Sequence, residues 1–263
     1  MTVADAGTTA SALTVRPVPG LPMVRPGDDL AALVEQALAG AGIRLGDGDV
    51  VCVAQKVVSK AEGRLIALAD VTPSAEAVEL ARRTDKDPRL VQLVLDESTE
   101  VVRSKPGVLI VRHRLGLVGA NAGIDQSNIE HGDGGEQALL LPRDPDASAR
   151  RLREALQAGS GARLGVVITD SSNRPWRLGT IGAAIGCAGI RVLDDRRGGH
   201  DIYGRELQVT LINRADAYAT MATLVMGETT ERIPVAVIQG LAPDAVDEPA
   251  SRIIRPLEED LFK

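Results

Sequence analysis

GVVITDSSNRPWRLGTIG, residues 165–182, decides how this chain is read. A run of apolar β-formers, Val166, Val167 and Ile168, leads into Asp170, Ser171, Ser172 and Asn173. Arg174, Pro175, the only tryptophan (Trp176) and Arg177 follow, ahead of a glycine-rich segment. A buried strand that ends in a carboxylate, hydroxyls and an amide sets hard oxygen donors at the edge of a rigid sheet, where divalent metals and phosphate groups are commonly held. The same residues also suit a helix N-cap after a strand. The density of polar groups, with Arg174 and Arg177 close by, favours a site.

Around that stretch the composition is unexceptional. A chain of 263 residues makes one large domain or two intimate ones with ample capacity for a core. Hydrophobic residues are 44% and charged residues 25%, but aromatics are only 2%, so the core must be aliphatic. A net charge of −6 offers no general surface for nucleic acid or an anionic membrane. Cys52 lies in an apolar strand-like run and reads as a small core residue; with Cys187 far away in sequence, a reduced, cytoplasmic setting fits. No segment approaches the ~20 apolar residues of a membrane span. Residues 1–12 are small and polar, without a basic start or an apolar stretch, and read as a loose tail rather than a signal peptide.

Along the chain, Asp28 is placed to cap a helix with Leu30, Leu33, Val34 and Leu38 on one face, ended by Gly40 and Gly42. Strands are expected at 50–54, 108–112, from Val166, and at 235–238. A charged helical region spans 74–95, a glycine-bearing loop 117–128, a flexible turn 132–135 and a helix 146–158 closing at Gly159. A hairpin with arms at 190–193 and 207–212, connected through 196–204, precedes a helix at 215–226. Without a clean βαβ repeat, the pattern predicts an α+β fold: mixed β-sheets with flanking helices in two lobes around a cleft. The body is expected over 13–245, and 246–263 as a C-terminal tail or linker.

Two further oxygen-rich loops join the first. In GANAGIDQSN, residues 119–128, Asp125 and Asn128 stand three apart behind small residues, which suits ligand binding and equally suits a capped turn. In MGETTERI, residues 226–233, Glu228 emerges at a helix end as a third oxygen ligand or a solvated cap. Lys60 can pair with a phosphate or simply face solvent. The chain has no GxxxxGK[ST], no dinucleotide fingerprint, no GxSxG and no zinc-like spacing among His113, His131, His200, Cys52 and Cys187. Any site is therefore built from carboxylate and amide groups, not thiol or imidazole.

Together these loops resemble the coenzyme F420-0:L-glutamate ligase family. The matching runs are GLPMV (20–24), VVSKAEGR (57–64), GLVGANAGIDQSN (116–128), ITDSSNRPWRLGTIGAAIGCAGI (168–190), YGRELQVT (203–210) and MGETTERIPVAVIQG (226–240), in the family's order. In actinobacterial members, where this is the N-terminal domain of a bifunctional enzyme, a flavin-binding, nitroreductase-like domain follows. The resemblance implies that Leu21, Pro22, Met23, Val24, Lys60 and Asn128 contact GTP. It implies that Met226, Gly227, Glu228, Thr229, Thr230, Glu231, Arg232 and Ile233 line the nucleotide, and that Asp125, Asp170, Ser171 and Glu228 hold divalent metal. Glu228 replaces a Gln common in relatives. Gln55 stands where relatives often have Ser and is set aside. Asp125, Asp170 and Lys60 would carry the chemistry, with two Mg²⁺ or Mn²⁺ ions per site, K⁺, and GTP as co-substrate. The implied protein is a homodimer that joins L-glutamate to F420-0 or its dehydro form. Trp176 or Tyr203 is expected to stack on the deazaflavin, with core packing of Trp176 the other reading. Two other functions stay open: a metal-dependent ligase or phosphotransferase on another small carboxylate, and a non-catalytic module that binds F420 or nucleotide.

Overall fold

The computed structural model describes residues 12–131 and 135–260. Most of the expected N-terminal tail and of the turn at 132–135, and the last three residues, lie outside them. The first half holds β1 (Thr14–Pro17), α1 (Leu30–Gly40), β2 (Val50–Ala54), α2 (Gln55–Ala61), β3 (Leu65–Ala67), α3 (Ala75–Thr84), α4 (Pro88–Asp96), β4 (Ser98–Lys105), β5 (Val108–His113) and β6 (Val118–Ala120). The second holds β7 (Gln137–Leu139), α5 (Pro145–Ser160), β8 (Gly165–Asn173), β9 (Thr180–Ala188), β10 (Leu193–Asp195), β11 (Leu211–Asn213), α6 (Arg214–Met226) and β12 (Val235–Gln239).

Five strands form the main sheet in the order β1-β12-β2-β8-β9. Only β2 and β8 run parallel; the other neighbours are antiparallel. The two central strands read VVCVA and GVVI because both of their faces are covered. Val51, Val53, Val166 and Ile168 pack under α1, α2 and α5. Cys52, Val167, Ala236 and Ile238 pack under α6. Cys52 and Cys187 both oppose Val167, one from each side, so they sit two strands apart as free, buried thiols. Burial pushes the Cys52 thiol up to about 12. A separate core joins α3, α4, β5 and β7 through Leu80, Val91, Val94, Leu109, Val111 and Ala138. The molecule is thus α+β with mixed sheets and a second lobe beside the main one.

Local differences from the sequence reading have physical causes. The glycine-rich segment after Trp176 is strand β9. Its glycines are demanded by packing: a Cβ on Gly182 would collide with the backbone of Ala219 in α6, and one on Gly186 with Pro145 in α5. Ile168 opposes Gly186 and Thr169 opposes Ala184, which leaves Ile185 as an extra residue, a bulge. The region 74–95 is two helices, because Asp85 turns left-handed (φ 52°) and Asp87 caps a new helix whose first residue is Pro88. Helix α1 is capped by Asp29, which accepts from Ala32 N at 3.1 Å, while Asp28 accepts from Arg25 N at 2.7 Å. The hairpin pairs Leu193–Asp195 with Leu211–Asn213, later in the chain and shorter than expected. The segment from residue 246 lies against the body, with Ala250 in the α6 core.

The outer edge of β9, continued through Val192, is covered by carboxylates. Asp216 accepts from Ala184 N (2.8 Å) and Asp146 from Cys187 N (2.8 Å). Asp247, Asp244 and Glu248 accept from Gly189 N (2.7 Å), Arg191 N (3.0 Å) and Val192 N (2.9 Å). Main-chain donors that would invite a further strand are thereby satisfied.

Candidate functional site

Strand β2 stops at Ala54, paired with Thr169, and the chain turns at once into α2. Strand β8 does not end there. It continues through Asn173 with only β9 beside it, so Asp170 is its first residue without a β2 neighbour. This is the carboxyl end of the parallel pair of the main sheet, the place where such sheets open a crevice. Strand alternation sends the Asp170 side chain to the face covered by α2 and that of Ser171 to the face covered by α6.

Asp125 is delivered to the α2 face by a constrained loop. Asn121, Ala122 and Gly123 all have left-handed backbones, with φ of 51°, 55° and 66°. Such a run costs free energy and persists only where its surroundings fix it. Asp125 itself is fastened by its main chain: its N donates to Leu139 O (2.9 Å) and its O accepts from Leu139 N (2.8 Å). Its Oδ2 accepts from Gln55 Nε2 at 2.9 Å and pairs with the ammonium of Lys56. One turn along α2, Lys60 donates to the carbonyl of Asn128 at 2.8 Å. On the α6 face, Gly227 ends the helix and Glu228 accepts a hydrogen bond from the Ser171 hydroxyl.

The electrostatics follow from this crowding. Burial, and then the charges of Asp125 and Glu228, push the Asp170 carboxyl up to about 7, against the Ser171 N–H and the charge of Lys56. Burial, and then the charge of Lys56, lowers the ammonium of Lys60. Three carboxylates therefore share a region that an added cation would relieve, and hard oxygens suit Mg²⁺ or Mn²⁺. Among the described residues, no three carboxylate, imidazole or thiol groups form one metal cage. The oxygens instead fall into two groups, Asp125 with Asp170 on one face and Ser171 with Glu228 on the other.

The remaining expected residues are less tightly joined. Leu21 and Val24 are buried in the α1 core, which leaves main chain and the exposed Pro22 and Met23 for a ligand. Met226, the last residue of α6, is buried in the core between that helix and the main sheet. Beyond it Thr229 bonds to Glu231 through its N–H (2.8 Å) and hydroxyl (3.2 Å), Thr230 is exposed, Arg232 is left-handed (φ 57°) and Ile233 is half-buried. Trp176 is 89% exposed at the tip of the β8–β9 ribbon, and Tyr203 is 89% exposed in the β10–β11 ribbon. Trp176 is not a core residue. Sequence reasoning missed Lys56 and passed over Gln55. The available signal was the pairing of Lys56 with Lys60 and of Gln55 with Ser59, four residues apart on one helix.

A family profile described as F420-0:Gamma-glutamyl ligase matches residues 20–240. The coenzyme F420:L-glutamate ligase of Methanopyrus kandleri is 45% identical over 255 residues, covering 95% of this chain and 98% of the relative. The ligase of the same name from Methanothermobacter thermautotrophicus is 43% identical over 251 residues, covering 94% and 97%. That from Archaeoglobus fulgidus is 44% identical over 249 residues, covering 95% and 96%. Among the described residues, no helix is long and apolar enough to cross a membrane.

Proposed function

This chain belongs to the F420-0:gamma-glutamyl ligase family, and we propose that it joins L-glutamate to the carboxylate of F420-0, or its dehydro form, at the expense of GTP. The observation that carries the reading is the surplus of negative charge at Asp170. A half-buried carboxyl pushed up to about 7 beside two more carboxylates is a costly arrangement without a cation.

A carboxylate is a poor acylating agent because oxide is its leaving group. Attack of a carboxylate oxygen on the γ-phosphorus, with GDP leaving, gives an acyl phosphate. The amine of glutamate then forms the amide bond as phosphate leaves, and its proton passes to water. Asp125 with Asp170 would hold one divalent ion and Ser171 with Glu228 another. Bound there, the ions offset the repulsion between triphosphate and carboxylate and stabilise the transferring phosphoryl group. Lys60 adds a positive charge on the α2 face, and Arg174 and Arg177 stand further along the β8–β9 ribbon. The exposed Trp176 and Tyr203 provide flat surfaces for a deazaflavin. With Leu178, Ile202 and Val209, also exposed, they support a homodimer, to be checked by the mass in solution.

Incubation with GTP, Mn²⁺, L-glutamate and F420-0, read by mass spectrometry, tests the proposal. It expects a product heavier by one or more glutamates together with GDP. GDP formed only with another small carboxylate would overturn the substrate, and binding without GDP would overturn catalysis.

A further inference from the structure

Gln55 opens α2 with its side chain buried, at 1% exposure, and Ser59 one turn later has none exposed. Burial of an unpaired amide is costly, and here each of its ends has a partner. The Ser59 hydroxyl donates to Gln55 Oε1 at 3.0 Å, and Gln55 Nε2 donates to Asp125 Oδ2 at 2.9 Å. The chemistry fixes which way the amide lies, because a carboxylate only accepts, so the NH₂ must face Asp125. The carbonyl end then needs a donor, and Ser59 supplies it. Lys56 engages the same Oδ2, so neither contact occupies Oδ1. With the carbonyl and N–H of Asp125 both held by Leu139, its side chain is the part left for Gln55 to orient.

We infer that Gln55, locked by Ser59, is a positioning residue that holds the Asp125 carboxylate with Oδ1 presented to a divalent cation. This rests on the two-ion reading of the site. Groups that hold a ligating side chain from behind typically matter ten- to a hundredfold in metal affinity.

Mn²⁺ binding to nucleotide-free protein, followed by the electron paramagnetic resonance of the free ion, separates the two ideas. Gln55→Leu removes the donor. It is expected to weaken Mn²⁺ about tenfold or more, and to raise the Mn²⁺ needed for half-maximal turnover without changing the KM for L-glutamate. Ser59→Ala, which leaves the amide free to turn, shifts Mn²⁺ affinity the same way by less, and decides the matter if the Gln55 variant does not fold. Wild-type Mn²⁺ affinity in folded Gln55→Leu or in Ser59→Ala, alongside loss of binding in Asp125→Asn, overturns the positioning role and leaves the two-ion reading intact. Unchanged binding in Asp125→Asn overturns both.

Discussion

The two groups of acidic side chains around the main sheet behave in opposite ways. Along the β9 edge, Asp146, Asp216, Asp244, Asp247 and Glu248 each accept from a main-chain N–H. At the carboxyl end of the parallel pair, Asp125 and Glu228 accept from side chains, and both raise the pKa of Asp170 by their charge. The first group answers donors that the fold would otherwise leave unpaired. The second gathers charge around Asp170 that Gln55, Lys56 and Ser171 offset only in part, and the cations proposed above would relieve the remainder.

The largest expected effect comes from removing that charge. Asp170→Asn should lower GTP-dependent ligation by a factor of 10² or more, on the order seen when a preorganised electrostatic group is lost. Its stability should move the other way. The folded protein holds the Asp170 proton up to about 7, against an ordinary 3.8, so the unfolded chain releases it first. The residue's contribution to stability therefore falls as pH rises from about 3.8 to about 7, and is least favourable above that. The metal-free variant should melt higher than wild type, by a margin that widens between about pH 5 and about pH 8. Retained ligation by the folded variant would remove Asp170 from the machinery, and a margin that narrows with pH would contradict the crowding.

The edge acids invert this pattern. Asp146 Oδ1 accepts from Cys187 N at 2.8 Å and from Ala250 N at 2.7 Å, so it ties β9 to the C-terminal segment. Asp146→Ala leaves two amides without their acceptor, and a loss of about 2–4 kcal/mol is expected in denaturant unfolding. The Mn²⁺ affinity of the protein that remains folded should be that of wild type. A variant that unfolds like wild type but loses metal would erase the distinction between the two groups of acids.

How much of this was legible in the sequence depended on how local its cause was. Strands β2 and β8 were visible because their apolar runs are uninterrupted, and α5 and α6 because their spacing is regular. Strand β9 was hidden, since Gly182 and Gly186 look like loop residues until the close approach of α6 and α5 supplies their reason. The break between α3 and α4 combines a left-handed Asp85, which composition does not mark, with the Asp87 cap and Pro88, a helix start that the charged run around them obscured. Within the site, Asp125, Asp170 and Glu228 could be singled out by the loops that carry them, but their joint effect on one carboxyl is a product of three distant segments. Lys56 and Gln55 were missed for the same reason: on a seven-residue helix neither stands out until Asp125 lies beside it.

The smallest effect tests the outer limit of the site. Trp176 has a left-handed backbone (φ 67°) and 89% of its surface exposed, so it contributes little to the core. Trp176→Ala should therefore change stability by no more than about 0.5 kcal/mol, as an exposed substitution does. It should also leave Mn²⁺ affinity as it is, because the tip of the β8–β9 ribbon lies beyond the carboxylates. If the ring stacks on a deazaflavin, its loss weakens acceptor binding by about 1 kcal/mol, a five- to tenfold rise in the KM for F420-0 with kcat kept. The same ribbon would then carry charge chemistry at Asp170 and apolar recognition at its tip. An unchanged KM for F420-0 together with a smaller particle mass in solution would assign Trp176 to contact between copies of the chain instead.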